Sequence, residues 1–167
     1  SIYQTICGHY NNQMALKNST PSFLNASEMK RIKIDFAGKP IIQTLASLNP
    51  NKVLYIDIWG TWCGPCKEEF SYSRELFQKL DTNKVSFVYL CVDSNESDWS
   101  SMIESEILKG QHFLLNKELQ KKLANEIGGL KGIPRYLIIN KKGEIVNNNA
   151  PRPGSGKVER LLSEMSN

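Results

Sequence analysis

A pair of cysteines placed directly after an apolar run most constrains what this chain can fold into. The run covers residues 53–59 and leads into Trp62-Cys63-Gly64-Pro65-Cys66. Cysteines with this spacing can close a small disulfide ring across the first turn of a helix, where Pro65 is tolerated because its missing N–H would have no partner. The unpaired N–H groups and the dipole of the helix favour a thiolate at the first cysteine. The segment therefore predicts a reactive dithiol at a strand-to-helix junction.

Alternating strand and helix patterns surround this segment, and the length of 167 residues suits one domain with a short extension. The patterns predict strands at residues 31–36, 53–58, 85–92 and 112–115, a hairpin at 136–147, and helices or apolar helical stripes at 41–48, 63–80, 99–107, 119–127 and 158–165.

The helix predicted after the dithiol has two details that bear on the site. Its inward face carries Phe70, Phe77 and Leu80, while Glu69 is among the charged residues predicted to face water.

Two stretches carry a resemblance to a known family: residues 58–69 around the dithiol, and Gly132-Ile133-Pro134-Arg135-Tyr136. On these residues the chain resembles the thioredoxin superfamily and is most similar to the TlpA/ResA-type thiol-disulfide oxidoreductases of the bacterial cell envelope. A weaker match covers residues 149–154. The resemblance implies an α/β fold, a thioredoxin-like three-layer α/β/α sandwich with a central mixed β-sheet. It covers a domain at residues 31–167, and residues 1–30 are predicted to be an N-terminal extension, such as a linker or the remnant of an upstream domain.

The chain departs from the family after the second cysteine. Ser71 stands where relatives often carry a proline, which predicts a straighter helix, and Lys67-Glu68-Glu69 brings acidic groups close to the dithiol.

The resemblance also implies the catalytic residues. Cys63 and Cys66 form a redox-active disulfide, in which Cys63 attacks the substrate and Cys66 resolves the mixed disulfide. Asp57 lies inside the buried strand six residues before Cys63, and the resemblance implies that it has a raised pKa and helps to deprotonate Cys66. The alternative for Asp57 is an ordinary carboxylate near a strand end, hydrogen-bonded to a neighbouring loop.

Five residues are predicted to contact the substrate. Trp62 offers an apolar platform beside the first cysteine, and Gly64 lets another backbone approach the sulfur closely. The resemblance implies a cis peptide bond before Pro134 and backbone pairing of the substrate with Ile133. The full set of predicted substrate contacts is Trp62, Gly64, Pro65, Ile133 and Pro134.

Composition excludes several other classes of function. The net charge of +4 is mild, and the basic residues are spread without aromatic interleaving, which argues against a nucleic-acid partner. The sequence shows no run long enough for a transmembrane segment and no signal-peptide pattern. Zinc requires four ligands, but no second cysteine pair exists and His9 and His112 are isolated. No metal or cofactor is predicted, Cys91 is predicted to be buried and inert, and a bridge between Cys7 and Cys91 has no support from spacing.

These observations predict an enzyme, a thiol-disulfide oxidoreductase that acts on disulfide-bonded or thiol-bearing protein substrates. By resemblance it would be a reductase of the periplasm or another extracytoplasmic compartment, and it would receive electrons from an upstream thiol protein. The alternative is a thioredoxin-fold binding or accessory module with a structural disulfide. The intact dithiol together with Asp57 and Ile133-Pro134 favours the enzyme.

Overall fold

A central mixed β-sheet organises the chain. The computed structural model describes residues 29–32, 36 and 38–167. Within them the strands are β1 (Met29–Arg31), β2 (Val53–Trp59), β3 (Val85–Cys91), β4 (Gly110–Leu114), β5 (Arg135–Ile139) and β6 (Ile145–Asn147). The helices are α1 (Ile41–Leu48), α2 (Gly64–Glu68), α3 (Phe70–Lys79), α4 (Glu96–Glu106), α5 (Lys117–Glu126) and α6 (Val158–Ser166), with a short 3-10 helix at Pro153–Ser155.

The strand order is β1-β4-β3-β2-β5-β6, so β2 lies inside the sheet. β2 pairs in parallel with β3 and antiparallel with β5, and the hairpin of β5 and β6 adds the antiparallel edge. All seven residues of β2 are buried, as expected for a strand that is covered on both faces. The predicted α/β class with a mixed sheet is therefore confirmed.

Alternation along β2 divides the apolar core into two halves. Val53, Tyr55 and Trp59 point to one face, where they pack with residues of α3, α4 and α6. Leu54, Ile56 and Ile58 point to the other face and pack against α1 and α5. Because successive side chains of a strand alternate between faces, Asp57 lies on the same face as Tyr55 and Trp59. This is also the face on which both motif cysteines are buried.

Helix α1 begins at an N-cap without a side-chain hydrogen bond of its own. Its first N–H groups instead bond to a side chain that is distant in sequence. Ile41 N–H donates to Glu126 Oε1 at 2.7 Å, and Ile42 N–H donates to Glu126 Oε2 at 3.0 Å. A carboxylate at this position satisfies the unpaired N–H groups and stabilises the helix dipole. This contact joins α1 to α5 on the face opposite the cysteines.

Two of the predicted boundaries are wrong. The first described strand is Met29–Arg31, which pairs in parallel with Gly110–His112, so it begins before the predicted residue 31, and Ile32 and Phe36 are not in a strand; residues 33–35 and 37 lie outside the described residues. The helix predicted from Cys63 to Leu80 is interrupted at Glu69, so α2 and α3 are separate despite the absence of a proline at Ser71. Most of the predicted extension, with Cys7 and His9, also lies outside the described residues.

No helix in the part of the chain that the structure describes has the length and apolar character needed to cross a membrane.

Candidate active site

Cys63 and Cys66 form a disulfide at the start of α2, directly beyond the end of β2. The S–S distance is 2.11 Å and the two Cα atoms are 5.3 Å apart. Cys63 is the N-cap of α2, and its Sγ accepts a hydrogen bond from Cys66 N–H at 3.2 Å. Cys63 is 4% exposed to solvent and Cys66 is 0% exposed. Of the two cysteines, only Cys63 therefore retains any exposed surface.

Gly64 and Pro65 form the exposed first turn of α2. A Cβ added at Gly64 would meet no atom within 4 Å, so the space beside the disulfide is open there. The predicted proline at the start of the helix is confirmed.

Trp62 directly precedes Cys63 in the chain and is 59% exposed. It packs over Gly60, where a Cβ would approach Trp62 Nε1 to 2.8 Å and Val92 O to 3.1 Å. The loop between them is held by Thr61 N–H, which donates to Ser94 Oγ at 3.0 Å. Gly60 is thus the residue that allows Trp62 its position, a role that the sequence analysis did not assign.

We expect Gly60→Ala to displace Trp62 and to lower the free energy of unfolding by about 1–3 kcal/mol, the usual cost of overpacking. The indole or the backbone at Val92 must move to accept the new methyl group. Chemical denaturation and tryptophan fluorescence of the oxidised protein measure the two effects. Gly64→Ala is the matched control because its methyl group enters open space. Equal stabilities of the two variants would contradict the packing of Trp62 over Gly60.

Asp57 is buried on the face of the sheet that carries both motif cysteines, without a hydrogen-bond partner among the described residues. It is 3% exposed, and neither carboxylate oxygen accepts a hydrogen bond from any of the described residues. Burial, and secondarily the negative charge of Glu69, raises the pKa of Asp57 well above its usual range. Desolvation has this effect because it disfavours the charged form of a carboxyl group. The folded protein therefore favours the protonated form of Asp57 more than water does, and the alternative of a hydrogen bond to a neighbouring loop finds no partner among the described residues.

Three tyrosines exclude water from Asp57. Tyr89 on β3 and Tyr136 on β5 lie directly opposite Asp57 in the strand register. Tyr55 stacks on Tyr136 with ring centroids 5.4 Å apart. Burial, and then the charge of Asp57, raises the pKa of all three hydroxyl groups. The aromatic rings are thus the physical cause of the desolvation of Asp57.

Glu69 was predicted to face water, but the structure places it in a half-buried position. Its Oε2 accepts a hydrogen bond from Gly154 N–H at 2.8 Å. Residues three positions apart share one face of a helix, and Glu69 stands three residues after Cys66. That spacing was the signal that could have identified it as a neighbour of the site.

The segment after β6, which carries the weaker family match, forms part of the same site. Ala150 N–H donates to Tyr136 O at 2.9 Å. The hydroxyl of Tyr55 donates to Pro151 O at 2.6 Å. Together with the bond from Gly154 to Glu69, these contacts hold residues 150–154 against the tyrosines and α3.

The Ile133–Pro134 peptide bond is cis and directly precedes β5. Ile133 is half-buried and packs against the apolar cluster that contains both motif cysteines. Arg135 follows and donates from Nε to Asn148 O at 2.6 Å, so its side chain is held by the neighbouring loop. The two separated stretches that carry the family resemblance are therefore brought to one end of the sheet.

Cys91 is fully buried at the end of β3 as a free thiol. Burial raises the pKa of Cys91 to about 11. Because only the thiolate is an effective nucleophile, this residue is inert near neutral pH. The prediction of a buried, inert Cys91 is confirmed, while Cys7 lies outside the described residues.

Comparison with known proteins agrees with this geometry. A family model described as Redoxin matches residues 18–162. The chain is similar to thiol-disulfide oxidoreductase ResA of Bacillus thuringiensis, with 23% identity over 163 residues that cover 92% of this chain and 80% of that protein. It is also similar to ResA of Bacillus cereus, with 23% identity over 177 residues that cover 99% of this chain and 87% of that protein.

Solved structures share the fold. A protein from Bacteroides vulgatus that is assigned as a thiol-disulfide oxidoreductase superposes with a TM-score of 0.63 and 28% identity, over 89% of this chain and 91% of that chain. A thioredoxin-family thiol:disulfide interchange protein of Chlorobium tepidum superposes with a TM-score of 0.62 and 19% identity, over 73% of this chain and 84% of that chain. The prediction of a thioredoxin-like fold is confirmed.

Proposed function

Because this chain belongs to the Redoxin family and is a thiol-disulfide oxidoreductase of the thioredoxin superfamily, we propose that it reduces disulfide bonds in protein substrates outside the cytoplasm. The disulfide of Cys63 and Cys66 is the group that reacts. The observation that carries the proposal is the position of this disulfide at a helix start, where Cys63 retains some exposed surface and Cys66 is fully buried.

In the proposed reaction the Cys63 thiolate attacks one sulfur of the substrate disulfide. A bond between Cys63 and that sulfur forms, the substrate S–S bond breaks, and the departing sulfur takes up a proton. Cys66 then loses its proton and attacks Cys63, which releases the substrate as a dithiol and re-forms the Cys63–Cys66 disulfide. Each cycle leaves the enzyme oxidised, so an upstream thiol protein must supply two electrons.

Asp57 is proposed to assist the second step. The Cys66 thiol must lose a proton inside an apolar environment, where water is scarce. The carboxyl group of Asp57 lies on the same face of the sheet as Cys66 and has no other hydrogen-bond partner among the described residues. Burial raises its pKa, so the carboxyl group can hold a proton at a pH at which an exposed aspartate has lost it, as a proton carrier for Cys66 requires.

Trp62, Gly64, Pro65, Ile133 and Pro134 are proposed to contact the substrate. The exposed indole of Trp62 and the open space at Gly64 leave room for a partner beside Cys63. The similarity to ResA supports a location in the periplasm or another extracytoplasmic compartment.

A structural role for the disulfide is disfavoured by the size of its ring. By loop entropy, a bond between residues three positions apart stabilises a fold by roughly 2 kcal/mol, against about 4.7 kcal/mol for a loop of 100 residues. A disulfide selected for stability would join more distant parts of the chain.

Reduction of insulin by dithiothreitol tests the proposal. We expect the protein to accelerate precipitation of the insulin B chain, and we expect a variant with both Cys63→Ser and Cys66→Ser to match dithiothreitol alone. Equal rates with the parent protein and this variant would show that the disulfide is structural. The reduction potential tests the direction: a reductase is expected near the value of thioredoxin, about −270 mV, and a value near the −120 mV of DsbA would contradict that direction.

A further inference from the structure

An acidic groove lies between helix α4 and Trp62, the residue that precedes Cys63. It has a volume of about 410 Å³, and its walls are Thr61, Trp62, Asp98, Ser101, Met102 and Ser105. None of these residues is basic, and every charged residue of α4 is acidic. The groove is therefore locally negative although the whole chain carries a net charge of +4.

Asp98 supplies the negative charge of this groove. The other acidic residues near the end of α4 are already paired: Glu104 with Arg31 at 2.9 Å and Glu106 with Arg74 at 3.1 Å. The exposed carboxylate of Asp98 accepts a hydrogen bond from Asn95 at 2.7 Å, and the structure gives it no ion pair with a described basic residue. Asp98 thus presents a negative charge to whatever enters the groove.

The other walls suit the rest of a basic side chain. The exposed face of an indole attracts a cation. Met102 is half-buried and offers an apolar, adaptable surface to an aliphatic stem. Lysine and arginine bury their stems on such surfaces while the charged end reaches a polar partner. Met102 can therefore contact the aliphatic stem of a lysine or arginine while Trp62 and Asp98 interact with its charged end.

We propose that this groove selects substrates that carry a lysine or arginine within a few residues of the disulfide to be reduced. Trp62 is adjacent to Cys63 in the sequence, so a side chain in the groove belongs to the part of the substrate nearest its reacting sulfur. The inference rests on the proposed function and adds a substrate class to it: polypeptides with basic residues next to their cysteines.

Peptides with one internal disulfide test the inference. Three peptides of identical sequence carry lysine, glutamine or glutamate beside one cysteine, and the fully reduced protein is mixed with each in a single turnover. We expect the lysine peptide to react about fivefold faster than the glutamine peptide, as the sum of an exposed ion pair and a cation–π contact. The glutamate peptide is expected to be the slowest. The preference should decline at 1 M salt, where the screening length is about 3 Å.

Two substitutions test the groove itself. Asp98→Asn retains a hydrogen-bonding side chain opposite Asn95. We expect it to bring the ratio of the reaction rates of the lysine and glutamine peptides close to one. Ser101→Lys places a cation in the groove, and we expect it to make the glutamate peptide the fastest. Gln43→Lys adds the same charge on α1, which packs on the opposite face of the sheet, and is expected to leave all three rates unchanged.

The outcomes distinguish the two proposals. If the parent protein reduces none of the peptides, the proposed function fails. If it reduces all three equally, the function stands and the groove inference is overturned. A lysine preference that persists unchanged in both groove variants also overturns it, because recognition then lies elsewhere. Each ratio is measured within one variant, so a partial loss of folding in either variant does not obscure the result.

Discussion

Cys66→Ser is expected to convert the protein into a covalent trap for its substrates, whereas Cys63→Ser is expected to abolish exchange. Without Cys66 the first attack still occurs, but the mixed disulfide cannot be resolved and persists. Without Cys63 the two other thiols in the described part of the chain cannot replace it, since Cys66 is fully buried and burial raises the pKa of Cys91 to about 11. Non-reducing electrophoresis followed by mass spectrometry detects the adduct and identifies the modified residue.

The trapping experiment contains its own control. Both variants have lost one member of the disulfide, so any non-specific change from opening the ring is common to them. We expect adducts on Cys63 in the Cys66→Ser protein and none in the Cys63→Ser protein. Recovery of the same adducts from both variants would mean that the two-step mechanism is wrong.

Asp57→Asn is expected to stabilise the oxidised protein at alkaline pH and to slow release of the substrate. The unfolded-state pKa of an aspartate is about 3.9, and burial raises the folded-state pKa of Asp57 well above it. Between the two values the folded protein holds a proton that the unfolded chain has released, so stability falls as the pH rises through this window. Below this pH window Asp57 is protonated in both the folded and the unfolded state. Above it the folded protein bears the full energetic cost of a buried carboxylate. Asparagine is neutral throughout.

We expect Asp57→Asn to leave stability nearly unchanged at pH 4 and to raise the free energy of unfolding at pH 9 by about 1.4 kcal/mol for each pH unit of this window that lies below pH 9. Urea denaturation of the oxidised protein across this range measures the difference. Glu75→Gln, which neutralises an exposed carboxylate on α3, is the control and should show no such trend. A pH-independent difference for Asp57→Asn would contradict the raised pKa.

The kinetic effect of Asp57→Asn is separate. Loss of a general base costs roughly 10²-fold or more, so the mixed disulfide on Cys63 should persist longer near neutral pH. The defect should become smaller as the pH rises, because hydroxide then removes the Cys66 proton without assistance from Asp57. An unchanged lifetime at pH 6 to 7 would remove Asp57 from the mechanism.

The parts of the site that are local in sequence could be predicted, and the parts that depend on distant contacts could not. The apolar run of β2 and the cysteine spacing after it determine the strand, the helix start and the disulfide within one short segment. The interruption at Glu69 coincides with a contact to Gly154, which is 85 residues away. No local pattern contains that information, because neither residue alone marks a helix end.

The same distinction holds for β1 and for the groove. The bounds of β1 follow from pairing with β4, so the alternation of residues 31–36 was a poor guide to them. The helical stripe of α4 correctly predicted Trp99 and Ile103 as buried. It could not show that the exposed side of the same helix faces Trp62, since this depends on the packing of α4 beside the loop after β2.

The contacts of residues 150–154 affect when the site can form during synthesis. The cysteine motif leaves the ribosome early, but the segment that pairs with Tyr136, Tyr55 and Glu69 is made more than 80 residues later. Until then the aromatic enclosure of Asp57 lacks one of its walls, and both cysteines belong to an incomplete fold. A nascent chain therefore presents Cys63 and Cys66 to cellular oxidants and foldases before their final environment exists. The surroundings of the pair are complete only after residues 150–154 have been added.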